Sequence, residues 1–143
     1  MSFVKVMIHA VWGTKNREPF LTHEIRAQVI EHILQNARSK QIYIDSLNGH
    51  VEHLHCLFGL NADITLSKAM QLIKGESAFW INKNRLTRHK FEWADEYFAV
   101  SVSESMIDKV RTYIQRQEEH HSRIAFIDEY EEFIRKYRFR SSG

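Results

Sequence analysis

The dipeptide Asn48-Gly49 stands between two segments with strand character, Gln41–Leu47 and His50–Leu60. Asn-Gly is the dipeptide most favoured in two-residue hairpin turns, because both residues accept the positive φ that such turns need. The sequence therefore predicts that the two segments are antiparallel neighbours in one sheet.

The spacing of apolar residues predicts the elements on either side of this hairpin. Residues 3–12 alternate between apolar and polar side chains, which is the two-residue period of a half-buried strand. Apolar residues recur at helical spacing over 25–37, in a helix that Thr22 can cap. A second amphipathic helix begins at Thr65 or Ser67.

The remaining chain adds one strand and further helix. Residues 97–102 have strand character, and Ser103 or Ser105 begins a third helix that runs to about His121. A last amphipathic segment covers residues 124–139. The order of these elements is that of the split βαβ, or ferredoxin-like, pattern. We therefore predict an α+β fold with an antiparallel sheet of four to five strands, helices on one face and a C-terminal helical segment.

Length and composition are those of one globular domain. With 143 residues, the chain is expected to form a single domain over 1–143. Its 43% hydrophobic and 27% charged residues argue against disorder, and no apolar stretch approaches the roughly 18 residues of a membrane span. The single cysteine, Cys56, excludes an intramolecular disulfide, and the N-terminus lacks a secretory signal, so a cytoplasmic protein is expected. The net charge of +2 indicates almost nothing about partners.

The segment His53-Leu54-His55 carries the first residues that suggest chemistry. Alternation along the strand directs Leu54, Cys56 and Phe58 to the face that the helices cover, so the two histidines point to the opposite, uncovered face. Histidines two residues apart on one strand face have Cα atoms about 6.6–6.8 Å apart, and their rings can converge on one cation. The alternative is that both are half-exposed structural histidines, each with its own hydrogen bonds.

Tyr113 and Gln117 form a second candidate pair, on the third helix. They are four residues apart and therefore lie on one helix face, at the margin of the stripe formed by Ile107, Val110 and Ile114. A phenol has a pKa of about 10, so it becomes a nucleophile only if a neighbour removes its proton or polarises the target. A cation at the histidines could polarise the target, with the Gln117 amide oxygen as its third protein ligand. The alternative is a boundary tyrosine and a solvated glutamine.

Taken in order along the chain, these motifs resemble the single-tyrosine transposases of the IS200-like family, which belong to the HUH (His-hydrophobic-His) nucleases. The resemblance covers residues 3 to 121. His53-Leu54-His55 fits the His-hydrophobic-His motif, preceded here by Glu52 where an aspartate is frequent, and Tyr113-Ile114-x-x-Gln117 fits the nucleophile-and-ligand motif. Three further segments resemble the family, namely His9–Arg17, Ile73-Lys74-Gly75 and Trp93–Val102.

The resemblance implies a metal-dependent transposase that acts on single-stranded DNA. His53, His55 and Gln117 would hold Mg²⁺ or Mn²⁺, which neutralises charge that grows on the scissile phosphate. Tyr113 would attack this phosphate and leave a 5′-phosphotyrosine and a free 3′-OH, and rejoining to another 3′-OH would need no ATP. The choice of metal follows from the family, since two imidazoles would also accept Zn²⁺ or Cu²⁺.

The resemblance also implies the partners of the protein. Family members grip a hairpin near the end of the mobile element, so single-stranded DNA with terminal hairpins is the expected substrate. They work as homodimers in which the tyrosine helix of one subunit can complete the site of the other. The apolar side chains of residues 124–139 fit either such a partner or a helix that packs on its own subunit.

Basic residues near aromatic side chains are candidates for holding the DNA strand. They lie in the first loop, in the second helix and in the polar stretch that precedes Phe91 and Trp93, and a solvated surface is the alternative for each of them. The candidates are Lys15, Arg17, Lys74, Lys83, Arg85, Arg88 and Lys90.

Two other functions are compatible with the sequence. One is a non-catalytic or domesticated relative that binds hairpin DNA. The other is a metallohydrolase in which Tyr113 is only structural. A covalent protein–DNA adduct that depends on Tyr113 distinguishes the transposase from both alternatives.

Overall fold

The computed structural model describes residues 2–117, 119 and 126–137. Within them the sheet has four strands, and these are β1 (Met7–Gly13), β2 (Ile44–Gly49), β3 (His53–Gly59) and β4 (Phe98–Val102). The strand order is β2-β3-β1-β4, and each strand is antiparallel to its neighbours. The predicted α+β class with an antiparallel sheet is confirmed.

The connections between the strands have the split βαβ arrangement. β1 and β2 both run antiparallel to β3, so they are parallel to each other with β3 between them. In the same way β3 and β4 are parallel, with β1 between them. A helical connection joins the members of each parallel pair, which is the ferredoxin-like topology.

The first connection is α1 (His23–Ser39). The second is a continuous run of helix, made of α2 (Leu66–Met70), a π turn (Gln71–Gly75) and α3 (Glu76–Lys83). A π turn adds one residue to a turn of helix and is common near functional sites. Here it holds the Ile73-Lys74-Gly75 segment, so the resemblance to the family falls on the irregular part of this helix.

The predicted starts of the first two helices are correct, and their caps differ. The third helix was predicted to begin at Ser103 or Ser105, but Ser103 precedes a 3₁₀ turn (Glu104–Met106) and the α-helix begins at Ile107. The Thr65 side chain accepts a hydrogen bond of 3.1 Å from the backbone N–H of Lys68, as a capping residue should. Thr22 precedes α1, but its side chain makes no capping bond. Its backbone carbonyl instead accepts from the Arg26 N–H at 2.8 Å.

The larger core lies between α1, α3 and one face of the sheet. β3 directs its apolar residues to this face, as the alternation predicts, and the helices contribute aliphatic side chains from the other side. The core includes Trp12, Leu54, Cys56 and Phe58 from the strands, and Val29, Ile33, Ile73 and Ile81 from the helices.

The opposite face of the sheet is covered by α4 (Ile107–Gln115). Ile107 and Ile114 form a second, smaller core with Met7 and Leu57, which point away from the main core. Helices therefore lie on both faces of the sheet rather than on one. The physical reason is that the apolar stripe of α4 needs an apolar surface, and the first face is already occupied by α1 and α3.

An ion pair also holds α4 against β2. Arg111 donates to both carboxylate oxygens of Asp45, from Nε at 2.9 Å and from Nη2 at 2.7 Å. Its third nitrogen, Nη1, donates to Asp108 one turn away at 2.8 Å. The hydrogen bonds from Arg111 lower the pKa of the Asp45 carboxyl to about 2.

The hairpin between β2 and β3 turns two residues later than predicted. Asn48 pairs with His55 and Gly49 pairs with Leu54, so the turn is formed by residues 50–52. Gly49 does not adopt positive φ. A Cβ at this position would collide with the His53 carbonyl oxygen, so glycine is required here for close approach of the two strands. The antiparallel pairing was predicted correctly, and the position of the turn was wrong.

The ends of two other elements differ from the prediction. β1 begins at Met7 rather than near residue 3, and Phe3 and Val4 are 92% and 53% exposed, so burial does not favour a strand there. α4 ends at Gln115 rather than near His121, which lies outside the described residues.

The C-terminal helical segment is α5 (Phe126–Tyr137), within the predicted range 124–139. The apolar side chains on which its predicted packing rests lie outside the described part of the structure. Among the described residues, no helix is both long and apolar enough to cross a membrane.

Candidate metal and nucleophile site

His53 and His55 lie side by side on β3, on the face that α4 covers. Both side chains point away from the main core, as the alternation predicts, and their ring centroids are 5.1 Å apart. Both residues have no exposed surface, whereas an uncovered face was predicted. The difference arises because α4 and α5 close over this face of the sheet.

The two ring nitrogens of His53 have different neighbours. Glu52 Oε1 lies 2.8 Å from His53 Nδ1 and accepts its proton in a hydrogen bond. The other nitrogen, Nε2, lies 3.2 Å from the amide oxygen of Gln117. In the neutral imidazole Nε2 carries a lone pair, so two acceptors face each other at this distance. Facing lone pairs repel unless a proton or a cation lies between them.

The contacts of His55 bring in two residues that the sequence did not single out. Glu129 on α5 is 8% exposed, and its Oε1 lies 2.8 Å from His55 Nε2. The other ring nitrogen, Nδ1, lies 2.9 Å from Nε2 of His9 on β1. Burial lowers the pKa of His55 to about 3 and that of His9 to about 4, so both rings are neutral near pH 7.

The donor set has the size and chemistry of a divalent cation site. Nitrogen or oxygen atoms of His53, His55 and Glu129 all lie within 4.8 Å of one another. Ligands at about 2.0–2.3 Å from one ion are separated by at most about 4.6 Å, so small rotations of these side chains suffice. Gln117 offers a fourth ligand atom, its amide oxygen, beside His53. A mixed set of imidazole and oxygen ligands suits Mn²⁺ and accepts Mg²⁺ or Zn²⁺.

Tyr113 on α4 is half-buried beside these ligands. Its ring stands edge-on to His55, with the centroids 5.4 Å apart and the planes at 83°. Burial raises the pKa of the Tyr113 phenol above its usual range, and the Glu129 carboxylate raises it further, whereas a hydrogen bond from Gln117 lowers it. The phenol is therefore protonated near pH 7, and the arrangement can supply a nucleophile only if its proton is removed during the reaction.

Gln117 reaches His53 although it lies beyond the end of α4. The helix ends at Gln115, and Arg116 has the non-helical angles φ −99° and ψ 20°. The Gln117 side chain nevertheless lies over the last turn, where its Nε2 donates to the Tyr113 carbonyl at a long 3.4 Å. It has no exposed surface. Tyr113 and Gln117 are therefore close together, as predicted, although they do not lie on one continuous helix.

Glu129 and His9 are the site residues that sequence reasoning missed. Glu129 belongs to a cluster of acidic residues on an amphipathic helix, a pattern typical of a solvated face. His9 lies on the polar side of the alternating first strand, but only the pairing of β1 with β3 places it beside His55. Only the register of β1 against β3 would have identified His9 as a neighbour of His55, and this register cannot be read from the sequence.

Two of the predicted DNA-binding residues line one cleft. Lys74, on the π turn, and Lys90 lie at the edge of a cavity of about 490 Å³ between the second helical connection and the loop that follows it. Phe91 and Trp93 form part of its wall. Lys74 donates to the Asp95 carbonyl at 3.2 Å, and its half-burial lowers the pKa of its ammonium group.

The other basic candidates lie outside this cleft. Lys15 and Arg17 are exposed on a single turn of 3₁₀ helix after β1. Lys15 approaches the cleft through Glu92, whose carboxylate lies 3.2 Å from the Lys15 ammonium and 3.9 Å from that of Lys90. The remaining three, which are exposed and do not line the cleft, are Lys83, Arg85 and Arg88.

Comparison with known proteins leads to the same family as the motifs. The sequence matches the family model described as "Transposase IS200 like" over residues 2–117, and it has no significant match among curated proteins. A candidate transposase from Deinococcus radiodurans R1 has a similar structure, with a TM-score of 0.63 and 22% identity over 81% of this chain and 93% of that chain. A REP-associated tyrosine transposase bound to a REP hairpin has a TM-score of 0.65 and 16% identity over 87% of this chain and 73% of that chain. Because the family model spans most of the sequence, the protein belongs to the IS200-like transposase family.

Proposed function

We propose that this protein cuts and rejoins single-stranded DNA at the ends of a mobile element, with Tyr113 as the nucleophile. The observation that carries the proposal is the convergence of Tyr113 with His53, His55 and Gln117. These residues come from β3, from α4 and from the chain just beyond α4, and they meet on one face of the sheet. The match to the transposase family supports a reaction on DNA.

His53, His55 and Gln117 are the proposed ligands of a divalent cation, Mg²⁺ or Mn²⁺, with Glu129 as an additional oxygen ligand. When bound, this cation would polarise the scissile phosphate and stabilise its growing negative charge. Glu52 would fix the orientation of the His53 ring through the 2.8 Å hydrogen bond to Nδ1. The ligand set is nearly completely buried, so the helices that cover it, α4 and α5, would have to open before a DNA phosphate could reach the cation.

Tyr113 would attack the phosphorus through its phenol oxygen. The bond that forms is Tyr113 Oη–P, and the bond that breaks joins phosphorus to the 3′ oxygen of the preceding nucleotide. The protein then carries the 5′ phosphate, and the released strand ends in a 3′-OH. Glu129 is the proposed acceptor for the phenol proton, because its carboxylate forms a hydrogen bond with the Tyr113 side chain.

The cleft beside the π turn is the proposed contact for the DNA strand. Lys74 and Lys90 provide positive charge at its edge, and Phe79, which also lines the cleft and is 66% exposed, offers a ring on which an unstacked base could stack. Single-stranded DNA with terminal hairpins is the proposed substrate, and the similarity to a transposase whose structure is bound to a REP hairpin supports this choice. We also propose that the protein forms a homodimer. Tyr113 and His55 of the same chain already lie together, so α4 would have to move for Tyr113 to reach the metal ligands of the other subunit.

The nucleophile is tested with a pool of hairpin-bearing single strands, incubated with the protein and Mn²⁺ and separated on a denaturing gel. Strands labelled at the 3′ end should become attached to the protein, and strands labelled at the 5′ end should be released as shorter fragments. Tyr113→Phe should abolish both products. Tyr43→Phe is the matched control, because Tyr43 is 62% exposed and its hydroxyl donates to Asp45 rather than to a residue of the ligand set.

Two outcomes would contradict the proposal, and each corresponds to an alternative function. If the wild-type protein binds the hairpin strands but forms no adduct with Mn²⁺, it is a non-catalytic binding protein. If Tyr113→Phe still cleaves, the protein is a metallohydrolase in which Tyr113 is structural.

The DNA contact is tested separately with Lys74→Ala and Lys90→Ala. Each substitution should remove one phosphate contact. For single-stranded DNA this should reduce the steepness of the plot of log binding constant against log salt concentration by about 0.7.

A further inference from the structure

A chain of hydrogen bonds links His9, His55 and Glu129 behind the proposed metal site. His9 lies on β1 and is 4% exposed, and its Nε2 is 2.9 Å from Nδ1 of His55. The two rings are also stacked, with centroids 5.2 Å apart and planes at 28°. His55 Nε2 in turn lies 2.8 Å from the Glu129 carboxylate. The position of each proton in this chain follows from the chemistry of its ends.

The Glu129 end determines one arrangement of the protons. An ionised carboxylate can only accept a hydrogen bond, so the short contact with Glu129 requires the proton of the neutral His55 ring to be on Nε2. Nδ1 of His55 then carries a lone pair. His9 must donate to it, and its own proton is therefore on Nε2.

A cation at His55 requires the opposite arrangement. Metal binding through Nε2 uses the lone pair of that nitrogen, so the ring proton has to be on Nδ1. His55 then donates to His9, whose Nε2 becomes the acceptor and whose proton moves to Nδ1. Each ring keeps one proton throughout, so the exchange needs no net gain or loss of protons.

We propose that His9 is a positioning residue, which sets the tautomer and the ring orientation of His55 and thereby prepares Nε2 of His55 to bind the cation. The inference rests on the proposed function, since it assumes that His55 is a metal ligand. It assigns to β1 a part in the site that the motif residues on β3 and α4 do not provide. The stacking contact adds to the effect, because it restricts rotation of the His55 ring about its Cβ–Cγ bond.

The first test compares Mn²⁺ affinity, measured by electron paramagnetic resonance without DNA. His9→Phe keeps an aromatic ring but removes the nitrogen, and it should weaken Mn²⁺ binding by about 10–100-fold, the usual effect of losing the partner of a ligating histidine. His9→Gln restores an amide oxygen that can accept from His55 Nδ1, and it should recover most of this loss. His89→Phe is the control, since His89 is exposed on the loop between α3 and β4.

The second test observes the tautomers directly in the wild-type protein, so it does not depend on the folding of any variant. Long-range ¹H–¹⁵N spectra near pH 7 should assign the proton of His9 and His55 to Nε2 without added metal. Saturation with Mg²⁺ should move both protons to Nδ1. A His9 tautomer that stays the same when His55 binds the metal would overturn the inference.

The two tests separate failure of this inference from failure of the proposed function. If His53→Ala and the wild-type protein bind Mn²⁺ equally, the metal site itself is misassigned. If His53→Ala loses Mn²⁺ binding while His9→Phe binds like the wild type, the site is correct and His9 has no positioning role.

Discussion

Removal of the Ile114 side chain should undock the helix that carries Tyr113. Ile114 is fully buried in the smaller core, where it packs with Leu57 and Ile107 between α4 and the sheet. Ile114→Ala deletes the three carbons beyond Cβ, and at about 0.8 kcal/mol for each buried methylene this amounts to about 2.4 kcal/mol. The cavity that remains raises the expected loss in the free energy of unfolding to about 3–4 kcal/mol.

Urea unfolding followed by circular dichroism measures this loss. Val110→Ala is the matched control, because Val110 lies on the same helix at the margin of the small core and is only half-buried, so its loss should be clearly smaller. Hydrogen exchange should show the amides of α4 losing protection before those of β1 and β3, since the small core supplies the apolar contacts that hold the helix on this face. A loss below about 1 kcal/mol for Ile114→Ala would refute this view of the packing, because it falls under the transfer contribution alone.

Three further perturbations test other parts of the structure. Gly49→Ala should destabilise the protein in urea unfolding, because a Cβ would meet the His53 carbonyl oxygen; unchanged stability would mean that the hairpin relaxes freely. The Arg111 hydrogen bonds depress the folded-state pKa of Asp45 to about 2. Their stabilisation of the folded protein is therefore present above the unfolded pKa of about 3.9 and is lost as pH falls towards 2. Asp45→Asn should flatten the dependence of the free energy of unfolding on pH over that range. Burial raises the pKa of the Cys56 thiol, so a disulfide reagent should label it only at the rate of unfolding, and fast labelling of the native protein would contradict its burial.

The histidine motif illustrates what a local pattern can and cannot predict. The two-residue period of β3 correctly places His53 and His55 on the face opposite Leu54 and Cys56, because the side chains of a strand alternate whatever surrounds them. The same pattern predicted that this face would be uncovered. Its cover is α4, which begins more than fifty residues later in the chain, and no period in β3 carries information about it.

The Asn48-Gly49 dipeptide correctly predicted a hairpin, but the glycine is required for a different reason from the one assumed. It predicted an antiparallel hairpin, and β2 and β3 form one. The glycine is needed because the strands approach closely at this point, and the turn itself lies at residues 50–52. Both a positive φ and a close approach select glycine, so the residue type alone cannot distinguish between them.

The sequence by itself determined the order and type of the elements, the α+β class, the shared face of the two histidines and the proximity of Tyr113 to Gln117. These follow from periods of two to four residues, which are set by backbone geometry alone. The tertiary structure decided the rest of the site. His9 and Glu129 meet His55 across separations of 46 and 74 residues, and Glu129 raises the pKa of Tyr113. Contacts of this kind depend on strand register and helix docking, which are settled by packing of the whole chain.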